Sequence, residues 1–358
     1  MSASLKFAKS FLTKGNPHRP SYLILLVTFR CNAKCSFCCF IDQLNTPAVK
    51  NELTLTEIEK IAAQMKGLLW LAVGGGEPFL RKELPEICNA FYRLAGVENI
   101  GIPTNASLPE RIEEYAIQIL DTCRTTRFSI GLSLDAVGER HDEMRQLKDA
   151  FSNLVKTYHP LRKVRDRYGD RFSLGVHTIV SRDNLDQVAA VADFVNKEFR
   201  VDWHTYEVIR NEANSVDSMT LEDYQKIKPI IQGQLDRYHF GGGLKNRVIN
   251  AVKRNNPDFI EETWKQKTQV VPCLAGRVNA VIDANGDVFH CELLHKVGNI
   301  REAGLDWDKV WFSDTANELR EKIKNKFCWC TQCNFQNTAQ LYAPSQYLKM
   351  LKSLVSPV

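Results

Sequence analysis

Three cysteines crowd one short stretch, Cys31-Asn-Ala-Lys-Cys35-Ser-Phe-Cys38. A cubic four-iron cluster commonly takes one cysteine thiolate per iron. Three thiols on one loop therefore leave one iron without a protein ligand. An open coordination position lets a substrate or cofactor bind a metal directly, as at catalytic zinc. Cys39 adjoins Cys38, so its side chain points elsewhere and does not serve as a fourth ligand. Zinc is the competing occupant, because cysteine clusters in a reducing compartment commonly hold it. Its motifs, however, pair short Cys-x-x-Cys units into closed four-ligand sites.

A second set of thiols lies late in the chain. Cys273 precedes Val278-Asn-Ala-Val-Ile-Asp-Ala-Asn285-Gly286-Asp-Val-Phe-His-Cys291. Asn-Gly between alternating apolar segments signals a β-hairpin, which folds Cys291 back toward Cys273. Near the carboxyl end stands Cys328-Trp-Cys330-Thr-Gln-Cys333. Cys330 and Cys333 form the Cys-x-x-Cys pair that completes a four-thiolate set, with Cys328 as the alternative ligand. Four closed thiolates suit zinc as well as an iron–sulfur cluster. Cys88 and Cys123 fall on or near helices and read as buried small apolar residues.

These residues must be held by regular elements. Tyr22–Val27 is an apolar run that reads as a buried strand leading into the first cysteines. Thr54-Leu-Thr-Glu57 is a capping box, followed by Ile58, Ile61, Ala62 and Met65 at helical spacing. Strands are expected at Leu68–Val73, Asn99–Pro103, Arg127–Leu134, Phe172–Val180 and Val201–Tyr206, with helices between them. Apolar throughout, the second strand reads as buried on both faces. Six strand–helix units imply a parallel sheet with right-handed crossovers. The singular residues fall at carboxyl ends of strands, where barrel active sites are built. They are the cysteine loop, Gly74-Gly75-Gly76-Glu77-Pro78, Thr104-Asn105, and Ser133 with Asp135.

The Cys-x3-Cys-x2-Cys loop, with Phe37 before its last cysteine, resembles the radical S-adenosylmethionine superfamily. That resemblance implies a partial (βα)6 TIM-like barrel. It also implies a [4Fe-4S] cluster on Cys31, Cys35 and Cys38, whose open iron chelates the methionyl group of S-adenosylmethionine. By the same resemblance Gly75, Gly76, Glu77 and Pro78 face the methionyl amino group, and Phe37 packs on the adenine. Asn105, Ser133 and Asp135 are suited to ribose hydroxyls or the cofactor carboxylate, and Arg145 to a bidentate pair with that carboxylate. The later cysteines resemble the SPASM extension or its shorter twitch form. Cys273, Gly286 and Cys291 match its opening pattern, and the five cysteines present imply one auxiliary cluster, expected as [4Fe-4S].

The expected organisation is an N-terminal extension (1–20) expected as a helix on the barrel flank, the barrel (21–212), a helical linker region (213–265), the auxiliary-cluster domain (266–345) and a tail (346–358). A helix is expected at Leu221–Tyr238 and a flexible turn at Gly241–Gly243. His177 is either a core histidine or a substrate contact. Glu207, Arg210 and Glu212, near the end of the sixth strand, are substrate-contact candidates, and the sequence marks no catalytic acid or base. A net charge of +5, with 44% hydrophobic and 25% charged residues, is ordinary for a soluble protein and gives no case for nucleic acid. No apolar run reaches the ~20 residues of a membrane span, no secretory signal is recognised, and the expected compartment is the cytoplasm. The resemblance implies a radical oxidoreductase or maturase acting on a small molecule or peptide, with a flavodoxin or ferredoxin as reductant. A non-catalytic iron–sulfur or zinc-binding module is the reading from another class. It needs neither the glycine run nor the strand-end polar set.

Overall fold

A computed structural model describes residues 19–209, 213, 219–238 and 244–341. The expected N-terminal helix, Arg210, Glu212, the 241–243 turn and the 346–358 tail lie outside the described residues.

Alternating strands and helices build the first half, in the order that the apolar runs and caps dictate. They are β1 (Tyr22–Thr28), α1 (Leu55–Gln64), β2 (Trp70–Gly75), α2 (Leu84–Ala90), β3 (Asn99–Thr104) and α3 (Pro109–Thr122). Then come β4 (Arg127–Ser133), α4 (Glu139–Arg145), α5 (Ala150–Tyr168), β5 (Phe172–Val180), α6 (Val188–Glu198) and β6 (Trp203–Val208). The capping box forms as expected, Thr54 and Glu57 each satisfying the other's backbone N–H. Two helices, α4 and α5, fill the stretch between β4 and β5, because positive φ at Gln146 ends the first and at Asp149 precedes the second. Two longer helices follow, α7 (Leu221–Arg237) and α8 (Leu244–Gln266). The last part carries β7 (Asn279–Ile282), β8 (Asp287–Phe289), β9 (Gly298–Asn299), α9 (Trp307–Trp311), α10 (Asp314–Lys324) and α11 (Cys333–Leu341).

One sheet runs through the molecule in the order β6-β5-β4-β3-β2-β1-β7-β8-β9. Its first six strands are parallel and form an open barrel, and the expected Asn285-Gly286 hairpin joins them. β7 pairs parallel with β1, from Tyr22 opposite Asn279 to Leu25 opposite Ile282, and β8 returns antiparallel. Among the described residues no helix is long and apolar enough to cross a membrane.

The strands are not buried equally on both faces. Leu71, Val73, Ile100, Ile102, Phe128, Ile130, Leu174 and Val176 are fully buried against the helices. The alternate positions line the hollow of the barrel, and many are small: Ala72, Gly74, Gly101, Ser129, Gly131, Ser173 and Gly175. Small side chains keep the hollow from filling with the protein's own atoms. Trp203 uses part of that room. A Cβ on Gly175 would lie 2.1 Å from its indole, and one on Gly131 would lie 2.9 Å from it. The indole N–H donates to Ser173 Oγ at 3.0 Å, which fixes the ring as a floor.

Gly175→Ala is therefore expected to destabilise the apo chain by roughly 1–3 kcal/mol through overpacking, read as a lowered urea midpoint. An unchanged midpoint would mean that the indole moves aside freely.

Candidate metal and cofactor site

The cysteine loop has no regular structure of its own and is shaped from below. Its root, Thr28-Phe29-Arg30, is gripped by Glu52, whose carboxylate is 3% exposed. Glu52 accepts from Thr28 Oγ1 at 2.6 Å, Phe29 N at 3.0 Å and Arg30 Nη2 at 2.8 Å. Buried Arg81 balances that charge at 3.3 Å and donates to the Leu53 carbonyl. Along the loop, Cys31 N donates to Asn45 Oδ1, and Asn45 Nδ2 donates back to the Cys31 carbonyl. Burial pushes the Cys31 thiol up to about 11 and raises Cys35 and Cys38 as well. A bound cation is what would hold these sulfurs as thiolates.

Gly75 and Gly76 are required by the chain itself. Gly75 has φ +123°, and a Cβ there would lie 2.2 Å from the Thr28 carbonyl oxygen. At Gly76 it would lie 2.1 Å from the Arg30 carbonyl oxygen. The N–H groups of Gly76 and Glu77 donate to those same two carbonyls, each at 2.8 Å. The close approach is thus to the loop's own backbone. Glu77 is 1% exposed and accepts from Phe79 N, Thr104 Oγ1 and Asn105 N. Burial pushes its carboxyl up to about 7. Pro78 opens the short turn that follows. Asn105 donates to Asn32 Oδ1 at 2.8 Å, tying the end of β3 to the cysteine loop.

Asp135 and Arg145 meet each other. Arg145 Nε and Nη2 both donate to Asp135 Oδ2, the former at 2.8 Å, and Asp135 Oδ1 accepts from Ile179 N at 2.8 Å. Asp135 is wholly buried, and its partners are the Arg145 guanidinium and the Ile179 N–H. The Arg145 guanidinium also covers the Phe37 ring at 5.5 Å. The backbone of α4 supports the loop directly, since Lys34 N donates to the Arg145 carbonyl and Ser36 N to that of Met144.

Inside the hollow, Ser133 stands in register with His177, and His177 with Thr205. His177 Nδ1 is 2.7 Å from Thr205 Oγ1, its ring edge meets Trp203, and burial lowers its pKa to about 4. It is neutral near pH 7 and half-buried. Glu207 is half-buried two residues along β6.

The second thiol set gathers around one pocket. Cys273, Cys291, Cys328 and Cys330 all line it, with Trp329 and Phe335 among its apolar walls. Burial pushes Cys273 up to about 12 and Cys328 to about 11, and raises Cys291. Cys333 opens α11, and its side chain lies outside the described residues. Cys88 and Cys123 are buried in the main core. Among the described residues no three His, Cys, Asp or Glu side chains converge closely enough to hold a single metal ion. Both sets offer only sulfur, and the second lines a pocket, a donor chemistry that fits an iron–sulfur cluster. Sequence reading missed Glu52, Arg81, Asn32, Asn45 and Trp203; only Glu52, a carboxylate just before a capping box, left any local mark.

A family model described as "Radical SAM superfamily" matches residues 25–195, and one described as "Iron-sulfur cluster-binding domain" (SPASM) matches residues 273–334. Fe-coproporphyrin III synthase of Methanosarcina barkeri is 23% identical over 88% of this chain and 79% of its own length. Among solved structures, Streptococcus suis SuiB bound to precursor peptide SuiA has a TM-score of 0.60 at 17% identity, over 88% of this chain and 70% of that one. Native anSMEcpe with bound AdoMet has a TM-score of 0.58 at 14% identity, over 93% and 98%.

Removing Asp135 would leave the Arg145 charge buried without its anion. Asp135→Asn is expected to cost the apo chain about 3–5 kcal/mol in denaturant unfolding at constant pH. Wild-type stability would mean that Arg145 reaches another anion.

Proposed function

We propose, for a chain that belongs to the radical SAM superfamily and carries a SPASM iron–sulfur cluster-binding domain, that it abstracts hydrogen from an organic substrate by means of S-adenosylmethionine. The observation that carries this is the three-thiol loop seated beside a hollow lined by small residues, at the end of the barrel strands. When bound to Cys31, Cys35 and Cys38, a [4Fe-4S] cluster with one open iron would supply the electron that cleaves the cofactor.

The chain's own residues do the binding and the orienting. Glu77 offers a buried carboxylate to the cofactor's amino group, while Gly75, Gly76 and Pro78 hold the turn that presents it. Asn105 fixes the loop's flank through Asn32. The Asp135–Arg145 pair seats Phe37, so both act by shaping the pocket. Ser133 and His177 are the polar groups that meet substrate above Trp203. Cys273, Cys291 and Cys330, with Cys328 or Cys333, hold an auxiliary iron–sulfur cluster in an apolar pocket. A flavodoxin or ferredoxin delivers the electron. Supporting a tetrapyrrole substrate is the relative named for Fe-coproporphyrin III. A peptide is the second class to test, because the similarly folded SuiB was solved with its precursor peptide.

Anaerobic reconstitution followed by dithionite and S-adenosylmethionine tests the proposal. About eight irons per chain with 5′-deoxyadenosine formed, and cleavage lost in Cys31→Ala, are expected. Zinc alone with no cleavage would leave a metal-stabilised binding module. Four irons with one zinc would keep the enzyme and overturn the auxiliary cluster.

Glu77 gives a pH signature. Burial pushes its carboxyl up to about 7, and an amino donor needs the ionised form. Cofactor affinity is expected to rise as pH climbs through about 7 and to fall roughly tenfold per unit below it. Equilibrium dialysis of the reconstituted enzyme would show this step, absent in Glu77→Gln. A flat wild-type profile would remove Glu77 from the amino-group site.

A further inference from the structure

The hairpin of the C-terminal region touches the root of the first cysteine loop. β7 runs parallel with β1, so its Asn285-Gly286 turn emerges at the end where the cysteine loop begins. Gly286 has φ +89°, and a Cβ there would lie 3.3 Å from Leu53. Leu53 N donates to the Ala284 carbonyl at 2.7 Å. Beside the turn, Arg301 forks onto both Glu57 carboxylate oxygens, at 2.6 and 2.8 Å. The same guanidinium donates to the carbonyls of Glu52, at 3.0 Å, and Asn51.

Glu52 is therefore held from two sides. Its backbone is fixed by Arg301, and its carboxylate fixes Thr28, Phe29 and Arg30, the three residues before Cys31. A planar guanidinium meeting one carboxylate and two carbonyls sets direction as well as distance. We infer that Arg301 is a positioning residue for the first cluster: through Glu52 the C-terminal domain sets the geometry of the loop that carries Cys31. This rests on the function proposed above. It adds that the two cysteine sites are mechanically joined, so that loosening the hairpin disturbs cofactor cleavage at the other site.

Hydrogen–deuterium exchange of the apo chain provides a readout independent of bound cofactor. In Arg301→Gln, amide exchange over residues 28–38 is expected to rise about tenfold as local openings become easier. Arg301→Lys, which keeps the charge and loses the fork, should recover only part of the protection. Arg320→Gln is the control, since Arg320 bonds the Gly276 and Trp311 carbonyls within the C-terminal region. It should leave 28–38 unchanged.

In reconstituted protein, Arg301→Gln is expected to alter the electron paramagnetic resonance signal of the reduced first cluster with S-adenosylmethionine. It should also slow 5′-deoxyadenosine formation about tenfold. Faster exchange confined to residues 55–64 would make Arg301 a local staple of α1 and overturn the inference, as would an equal effect of Arg320→Gln. Wild-type spectra and rates in Arg301→Gln would overturn it too. Failure of the wild-type enzyme to cleave the cofactor would instead overturn the function itself.

Discussion

A loop with no secondary structure can present three sulfurs in fixed directions only if something rigid holds it from beneath, and here that support is buried carboxylate. Glu52 grips the backbone and side chains before Cys31, Glu77 locks the turn that bonds to the same root, and Asp135 anchors the arginine under Phe37. Burying a carboxylate costs several kcal/mol unless partners compensate. Glu52 has Arg30 and Arg81 against it, and Asp135 has Arg145. Glu77 hydrogen-bonds only to neutral donors, and burial pushes its carboxyl up to about 7. Of the three it is the one that an incoming amino donor would stabilise most.

The hollow is kept open by a parallel constraint. Helices cover the outer face of the sheet, and there the strands carry large apolar residues. On the inner face, glycine, alanine and serine recur from β2 to β5. Two of those glycines are also fixed by the Trp203 indole packed against them. The space left lies toward Ser133, His177 and Thr205, in register across β4, β5 and β6. A neutral histidine with one nitrogen engaged by Thr205 suits hydrogen bonding to substrate better than charge pairing.

Much of this was legible because it is local in sequence. Thiol spacing, the capping box, the Asn-Gly hairpin and the strand–helix alternation each depend on residues within one or two turns of each other. What depended on distant partners was not legible. Arg145 in isolation reads as a ligand for a carboxylate; the carboxylate it meets is Asp135, ten residues earlier on the other side of a helix start. Gly75 and Gly76 are expected beside the methionyl amino group; their sequence does not show that a Cβ at either would meet the Thr28 or Arg30 carbonyl. The second strand reads as buried on both faces, because composition does not distinguish a filled barrel from an open one. Glu52 and Arg81 are 29 residues apart and mark no motif.

The continuous sheet also decides how the two cysteine sets relate. β8 runs back against β7, with Phe289 opposite Val281, so Cys291 leaves the sheet toward the end where Tyr22 begins β1. Cys31 follows the other end of β1. The two thiol sets therefore lie at opposite ends of β1. What joins them is the hairpin turn, which meets Leu53 at the far end of β1, and Arg301, which meets Glu52. A domain added as an extra strand beside β1 cannot shift without straining seven parallel strands. The geometry of the first loop therefore depends on the C-terminal domain as well as on the barrel.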